Sequence, residues 1–268
     1  MLGAIIGDIV GSPYEFNNIK TTDFELFSSK STFTDDTVMT IAVAVGLIQG
    51  LHNPVKSREA IIDAMHDFGN RYPTSYGGRF AEWLYTRSRK PYGSYGNGSA
   101  MRCSAAGWLY NSLEEVEYYA KISAAVTHSH IEGIKGAQSV AAAIYLARTG
   151  STKSQIAHYI SEHYNYDLSR TLDAIRPGYR FSEICQKSVP EAITAFLESN
   201  DFEDAIRKAI SLGGDSDTIG AITGSIAEAF YRDIPKVIVD KALSYLDQDL
   251  LHEVEKIQRF INQEQAAS

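Results

Sequence analysis

Apolar residues return every third or fourth position through most of this chain, the spacing of one buried helical face. The pattern predicts amphipathic helices over 56–69 and 113–126 and an alanine-rich helix over 132–148. Ser188-Val189-Pro190-Glu191 predicts another helix start, with serine near the cap and proline in the first turn, where its missing N–H does no harm. Helical spacing continues over 202–212 and 234–246, and a charged helix closes the chain. Alternation of period two is nearly absent, so strands are not expected. Residues 71–98 break the pattern: glycine and tyrosine collect there without a helical period, which predicts one long irregular loop of the kind usually kept for function. No linker, repeat or low-complexity tract divides the sequence. The expected fold is all-α, a compact single-domain orthogonal helical bundle spanning 1–268.

Against this background two polar clusters stand out. Thr34-Asp35-Asp36 opens the apolar run Ile41 to Ile48. Thr34 is a good N-cap, and the helix dipole favours an acid in the first turn. Capping accounts for one carboxylate; a second beside it adds repulsion, which burial makes worse unless a cation compensates. The second cluster, Asp215-Ser216-Asp217-Thr218, follows Gly213-Gly214 and begins a stretch lined with glycine, alanine and serine, residues that let helices approach closely. Together the clusters offer four carboxylates and two threonine hydroxyls at helix mouths, the oxygen ligands that Mg²⁺ or Mn²⁺ prefer. No matching His/Cys set is present, which disfavours zinc. Four carboxylates suit two ions better than one; double capping is the alternative.

The N-terminal segment contributes a third piece. Gly3, Gly7 and Gly11 recur every fourth residue, a smooth face for another helix, and fit neither a dinucleotide-binding fingerprint nor a P-loop. Ser12-Pro13-Tyr14-Glu15 then places Glu15 just past the helix end, either as a surface acid in a turn or as a proton-transfer group beside the metals.

Composition narrows the classes. Across 268 residues, 44% are hydrophobic and 22% charged, as in ordinary globular proteins, and the formal net charge is −8 with no Lys/Arg cluster. That argues against a nucleic-acid surface, which needs basic residues to displace counterions. Cys103 and Cys185 lie far apart without a CxxC pattern and read as buried thiols in a reducing cytoplasm. The apolar N-terminus lacks a basic n-region and is interrupted by Asp8, so it does not read as a signal peptide, and no uncharged run is long enough to cross a membrane.

Five blocks then appear in order: G-D-I-V-G-S-P-Y-E (7–15), F-T-D-D-T-V-M-T (33–40), Y-G-N-G-S-A-M-R (95–102), T-H-S-H (127–130) and G-G-D-S-D-T-I-G-A-I-T-G (213–224). In this order they resemble the ADP-ribosylglycohydrolase family over most of the chain. The resemblance implies a compact helical fold with two Mg²⁺ or Mn²⁺ ions in a cleft, held by Thr34, Asp35, Asp36, Asp215, Asp217 and Thr218. It places Glu15 beside the metals as a catalytic group, with Asp36 and Asp217 as metal-ligating carboxylates that share in catalysis. Gly93, Ser94, Tyr95, Gly96, Asn97 and Gly98 resemble the loop that wraps diphosphate and ribose, and His128 falls near the substrate.

The duller readings are turns for the glycines, an Asx turn for Asn97, a structural ion pair for Arg102, helix C-terminal positions for His128 and His130, and a brace for Asp8. The implied activity is metal-dependent hydrolysis of the bond between ADP-ribose and a modified protein side chain, an arginine-type N-linkage foremost, or a small ADP-ribose adduct. The alternatives are a catalytically weak ADP-ribose-binding protein and a two-metal nucleotide phosphohydrolase. Ser99 stands where many members carry glycine, and the D-x-G-N-T-type stretch of arginine-specific relatives is absent, a combination similar to the bacterial branch.

Overall fold

Side-chain caps start many of the helices. The computed structural model describes residues 1–74 and 76–266. Helix α1 (Leu2–Gly11) runs into a single 3₁₀ turn, Ser12–Tyr14, and an irregular segment leads to α2 (Asp35–Gln49), where the Thr34 hydroxyl accepts the Asp36 N–H. Asn53 caps α3 (Pro54–Arg71) in the same way. Three short helices follow, α4 (Gly78–Tyr85), α5 (Gly98–Met101) and α6 (Ser104–Leu109). Ser112 caps α7 (Leu113–Ala125), and the His130 side chain accepts Glu132 N–H at the start of α8 (Ile131–Arg148). His130 therefore begins a helix rather than ending one. A Thr152/Gln155 capping box opens α9 (Lys153–Tyr164), and Thr171 caps the single turn α10 (Leu172–Ile175). The chain continues through α11 (Cys185–Leu197), α12 (Phe202–Ser211), α13 (Ser216–Tyr231), α14 (Lys236–Leu243) and α15 (Gln248–Ala266).

Among the described residues there is no strand, only an isolated antiparallel bridge between Gly96 and Ile184. The protein is all-helical and forms one domain. Helix α13 lies at its centre, packed by α1 on one side and by α8, α11 and α12 on others. Each of its residues from Ser216 to Ala229 is buried, which suits a helix that is small or apolar on every face. No helix of the described residues is long and apolar enough to cross a membrane.

Two expectations need correction. The stretch 71–98 is not one irregular loop: α4 lies inside it and buries Phe80, Trp83 and Leu84 on one face, a period hidden by the flanking glycines. Helix α11 starts at Cys185, so Pro190 sits inside the helix rather than in its first turn. The earlier turn forms because Cys185 N donates to the Tyr95 carbonyl at 3.1 Å, and Ser188 Oγ donates back to the Ile184 carbonyl at 3.1 Å. A tertiary contact supplies what a local cap would otherwise provide.

Candidate active site

The site begins with the glycine face of α1. A Cβ placed on Gly7 would lie 2.7 Å from Ala221 N and nearer still to the Gly220 carbonyl; one on Gly11 would lie 2.5 Å from Asp217 Cα. No residue but glycine permits this separation, and the close crossing carries Asp8 of α1 to the N-terminus of α13. Asp8 is buried. Its Oδ1 accepts from Thr34 Oγ1 (2.7 Å), and its Oδ2 accepts from Thr34 N (2.9 Å), Thr37 N (3.0 Å) and the Thr37 hydroxyl. Asp8 thus braces the first turn of α2 from beneath, with Thr34 Oγ1 held between Asp8 and the Asp36 N–H.

Above that brace the carboxylates converge. One oxygen each from Asp8, Asp36 and Asp217 lies within 4.8 Å of the others, as does one each from Glu15, Asp215 and Asp217. Asp36 Oδ2 accepts from Thr218 Oγ1 at 3.2 Å, while its buried Oδ1 has no protein donor. Asp35 and Thr218 line the cleft beside them; Thr34 does not.

The electrostatics follow from burial and from the crowding of like charges. Burial pushes Asp8 up to about 6 against the four hydrogen bonds that hold it down. Burial, then the charges of Asp215 and Asp35, raises Glu15 to about 7; burial, then Asp8, raises Asp35 to about 7. Asp36 and Asp217 are raised well above the usual carboxylate range, again by burial first and by neighbouring carboxylates next. Asp215 is raised by burial and partly relieved by hydrogen bonds, one of them from Asn97 Nδ2 at 2.6 Å.

Glu15 reaches this cluster on a tethered loop. Asn18 Nδ2 donates to the carbonyls of Tyr14 (2.7 Å), Glu15 (2.9 Å) and Gly214 (2.8 Å), and Asn18 Oδ1 accepts Gly214 N–H at 2.8 Å. Gly213 and Gly214 adopt φ of +65° and +77°, a turn that admits the Asn18 side chain and the ammonium of Lys20. The loop of the acid and the turn before Asp215 are therefore one clamped unit.

The opposite wall is built from the glycine loop. Asn97 N donates to the Glu183 carbonyl at 2.7 Å, and Asn97 Nδ2 also reaches Ser188 Oγ at 3.1 Å. The Asn97 side chain therefore spans to the second acidic cluster rather than closing an Asx turn in its own loop. His128 is buried, with Nδ1 2.7 Å from Thr127 Oγ1, which accepts from Arg102 Nη2 at 2.6 Å. The threonine hydroxyl, accepting from Arg102, is free to donate onward to Nδ1, and Nε2 faces Gly96 and Gly98, with a backbone hydrogen bond at Gly96. Burial, then Arg102 and Arg79, holds His128 well below the usual imidazole range, so it is neutral. Arg102 is fully enclosed, and its Nε has no protein partner.

These walls enclose a cleft of about 430 Å³. Of the residues expected around a substrate, Ser94, Gly96, Asn97, Gly98 and His128 line it; Gly93 does not, and Tyr95 turns its ring outward against His130 at 5.2 Å. The lining also includes residues that sequence reading passed over: Phe16, Arg79, Tyr92, Phe181 and Glu183. Phe16 adjoins Glu15, and exposure of an aromatic next to a candidate acid was the available signal. Phe181 and Glu183 carry no such mark and arrive only through the Gly96–Ile184 bridge.

An all-helical protein with a cleft floored by buried carboxylates and walled by a glycine loop has the makings of a hydrolytic enzyme. The sequence matches the ADP-ribosylglycohydrolase family over residues 1–266. The chain belongs to that family and is a hydrolase of ADP-ribose linkages. It is 28% identical to ADP-ribosylhydrolase ARH3 of Mus musculus, over 94% of this chain and 88% of that one. It is 25% identical to ADP-ribosylarginine hydrolase Tri1 of Pseudomonas putida, over 86% of this chain and 69% of the relative. A solved structure described as an ADP-ribosylglycohydrolase-related protein complex superposes with a TM-score of 0.69 over 96% of each chain at 21% identity, a likeness of fold.

Proposed function

We propose that this chain holds two divalent cations, Mg²⁺ or Mn²⁺, and hydrolyses the C1″ glycosidic bond joining ADP-ribose to a modified protein side chain or small adduct, an arginine-type N-linkage foremost. The observation that carries this reading is a pair of carboxylate groups that meet at Asp217, Asp8 and Asp36 on one side and Glu15 and Asp215 on the other, raised by burial and mutual repulsion, with one buried Asp36 oxygen that no protein donor reaches. Buried carboxylates cost several kcal/mol each unless paired, and an all-oxygen set fits a hard cation. Asp35, Asp36, Asp215, Asp217 and Thr218 are the groups in position to ligate, with Asp8 and Thr34 behind them. When bound, the cations supply the charge that lets these carboxylates ionise together and grip the ribose hydroxyls next to the scissile bond.

The chain's own groups do the rest. Cleavage passes through an oxocarbenium-like state that needs proton transfer at the leaving group or at water. Glu15, half-buried in the cleft with its carboxylate close to those of Asp215 and Asp217, is placed for that task. Ser94, Arg102 and neutral His128 line the cleft as donors for a diphosphate without any lysine, while the N–H groups of Gly96 and Asn97 are already given to Ser94 Oγ and the Glu183 carbonyl. Two unpaired buried cysteines suit a reducing compartment such as the cytoplasm.

The test is release of free ADP-ribose from arginine-, serine- and acetyl-linked adducts, with Mg²⁺ and with EDTA. Asp36→Ala and Asp217→Ala are expected to lose cation binding and at least 100-fold in turnover, in keeping with loss of a metal's charge stabilisation, while keeping their helix content. Full activity in either variant refutes the metal roles. AMP as product would mark a phosphohydrolase, and tight ADP-ribose binding without turnover a binding protein.

A further inference from the structure

Two phenylalanines stand in the open at the mouth of the cleft. Phe16 is 81% exposed and Phe181 42% exposed. Their rings nevertheless stack on each other, with centroids 6.0 Å apart and planes inclined by 26°. Both line the cleft together with Glu15 and Glu183. Scattered exposed apolar residues need no explanation, but a stacked pair brought from distant parts of the chain to the rim of a site is a prepared surface.

The cleft is polarised, and the pair lies at one pole. On one wall the Arg79 guanidinium rests 4.9 Å over the Tyr92 ring, and Arg79 and Arg102 both act on His128. That wall, with its two guanidiniums, suits a diphosphate. The other pole carries aromatic faces and carboxylates. Phe16 directly follows Glu15, the group placed to exchange a proton with whatever departs from C1″, so the departing group lies on the phenylalanine side. A group that stacks on an aromatic face and is drawn to a carboxylate is a planar cation, and a guanidinium is both.

We propose that Phe16, Phe181 and Glu183 form a leaving-group subsite that selects ADP-ribosylated guanidines, such as modified arginine side chains, over adducts joined through a neutral hydroxyl. The inference rests on the hydrolase reading above and adds to it the residues that choose the leaving group.

The experiment compares kcat/KM for ADP-ribosyl-agmatine with that for a serine-linked ADP-ribosyl peptide, and measures inhibition by free ADP-ribose. The enzymes are wild type, F16A/F181A, F16Y/F181Y and E183Q. The wild type should favour the guanidine adduct. The alanine pair should lower the guanidine-to-hydroxyl ratio about tenfold, and E183Q should lower it in the same direction. The tyrosine pair keeps the ring faces and should keep the ratio, and ADP-ribose inhibition should be the same in all four. Equal losses on both adducts, weakened ADP-ribose inhibition in the alanine pair (the mark of an adenine stack), or a wild-type preference for the serine adduct would each overturn the subsite. Wild-type protein that releases ADP-ribose from neither adduct instead sinks the hydrolase reading. The subsite is then decided by agmatine binding to ADP-ribose-loaded protein: binding that the alanine pair loses supports it, and no binding overturns it.

Discussion

Replacing Gly7 with alanine separates two opposing effects in one residue. In an ordinary helix interior, alanine is favoured over glycine by about 1 kcal/mol. At Gly7 the added methyl would sit 2.7 Å from Ala221 N and closer to the Gly220 carbonyl. Both are main-chain atoms in the middle of a buried helix and cannot rotate aside. Ordinary contact needs about 3.5 Å or more, so α1 and α13 must part by about 1.5 Å to clear the Gly220 carbonyl. Overpacking of this kind costs about 3 kcal/mol, the upper end of its usual range, because only backbone can move. The net loss is about 2 kcal/mol, a fall in Tm of about 4–8 °C.

The same displacement separates Asp8 from Asp217, whose oxygens now lie with one of Asp36 within 4.8 Å, so the upward shift of Tm on adding Mg²⁺ should shrink as well. Differential scanning calorimetry with and without Mg²⁺ reads both effects. Gly178→Ala is the control: its Cβ meets nothing within 4 Å, and stability should hold or rise slightly. A Gly7→Ala protein as stable as the wild type or more so would show that the helices are not in close contact, and the account of how the site is assembled would fall with it.

Two further predictions concern the carboxylates and their tether. In EDTA, Asp8 at about 6 and Glu15 and Asp35 at about 7 in the native state bind protons that the unfolded chain, with carboxylates near 4, has already released. Native protein therefore holds more protons between about pH 4 and 7, stability falls as pH rises through that window, and Tm should be higher at pH 5 than at pH 8. Mg²⁺ should restore stability chiefly at pH 8; a metal-free Tm that climbs from pH 5 to 8 would contradict the burial argument. Asn18→Ala removes the tether between the Glu15 loop and the Gly214 turn and should lower kcat about tenfold with little change in KM, the cost of a misplaced catalytic group. Unchanged kcat would refute the positioning role.

What could be read from the chain was what repeats or clusters within a few residues. The i, i+4 glycines of α1, the threonine-capped acids of α2 and the small-residue face of α13 each declare themselves locally, and from them came the helical fold and the two acidic clusters. What could not be read was what only chain closure creates. Asn97 looked like a residue for its own turn, yet its amide reaches Asp215, 118 positions away. Pro190 looked like a helix start because local rules place proline in the first turn; the Tyr95 carbonyl extends α11 to Cys185 instead. Glu183 and Phe181 belong to no recognisable motif and enter the cleft on the same bridge.

The buried acids join the two levels. Asp36 and Asp217 are unfavourable where they stand, and first-turn positions with the Thr218 N–H on Asp217 relieve that only in part. The close crossing of α1 and α13 puts Asp8 under Thr34, and that brace aims Asp36 at Asp217. A helix pair that could pack at ordinary distance would leave the carboxylates apart and solvated. The glycine face and the acidic floor are therefore parts of a single arrangement, in which close helix packing forces the buried carboxylates together.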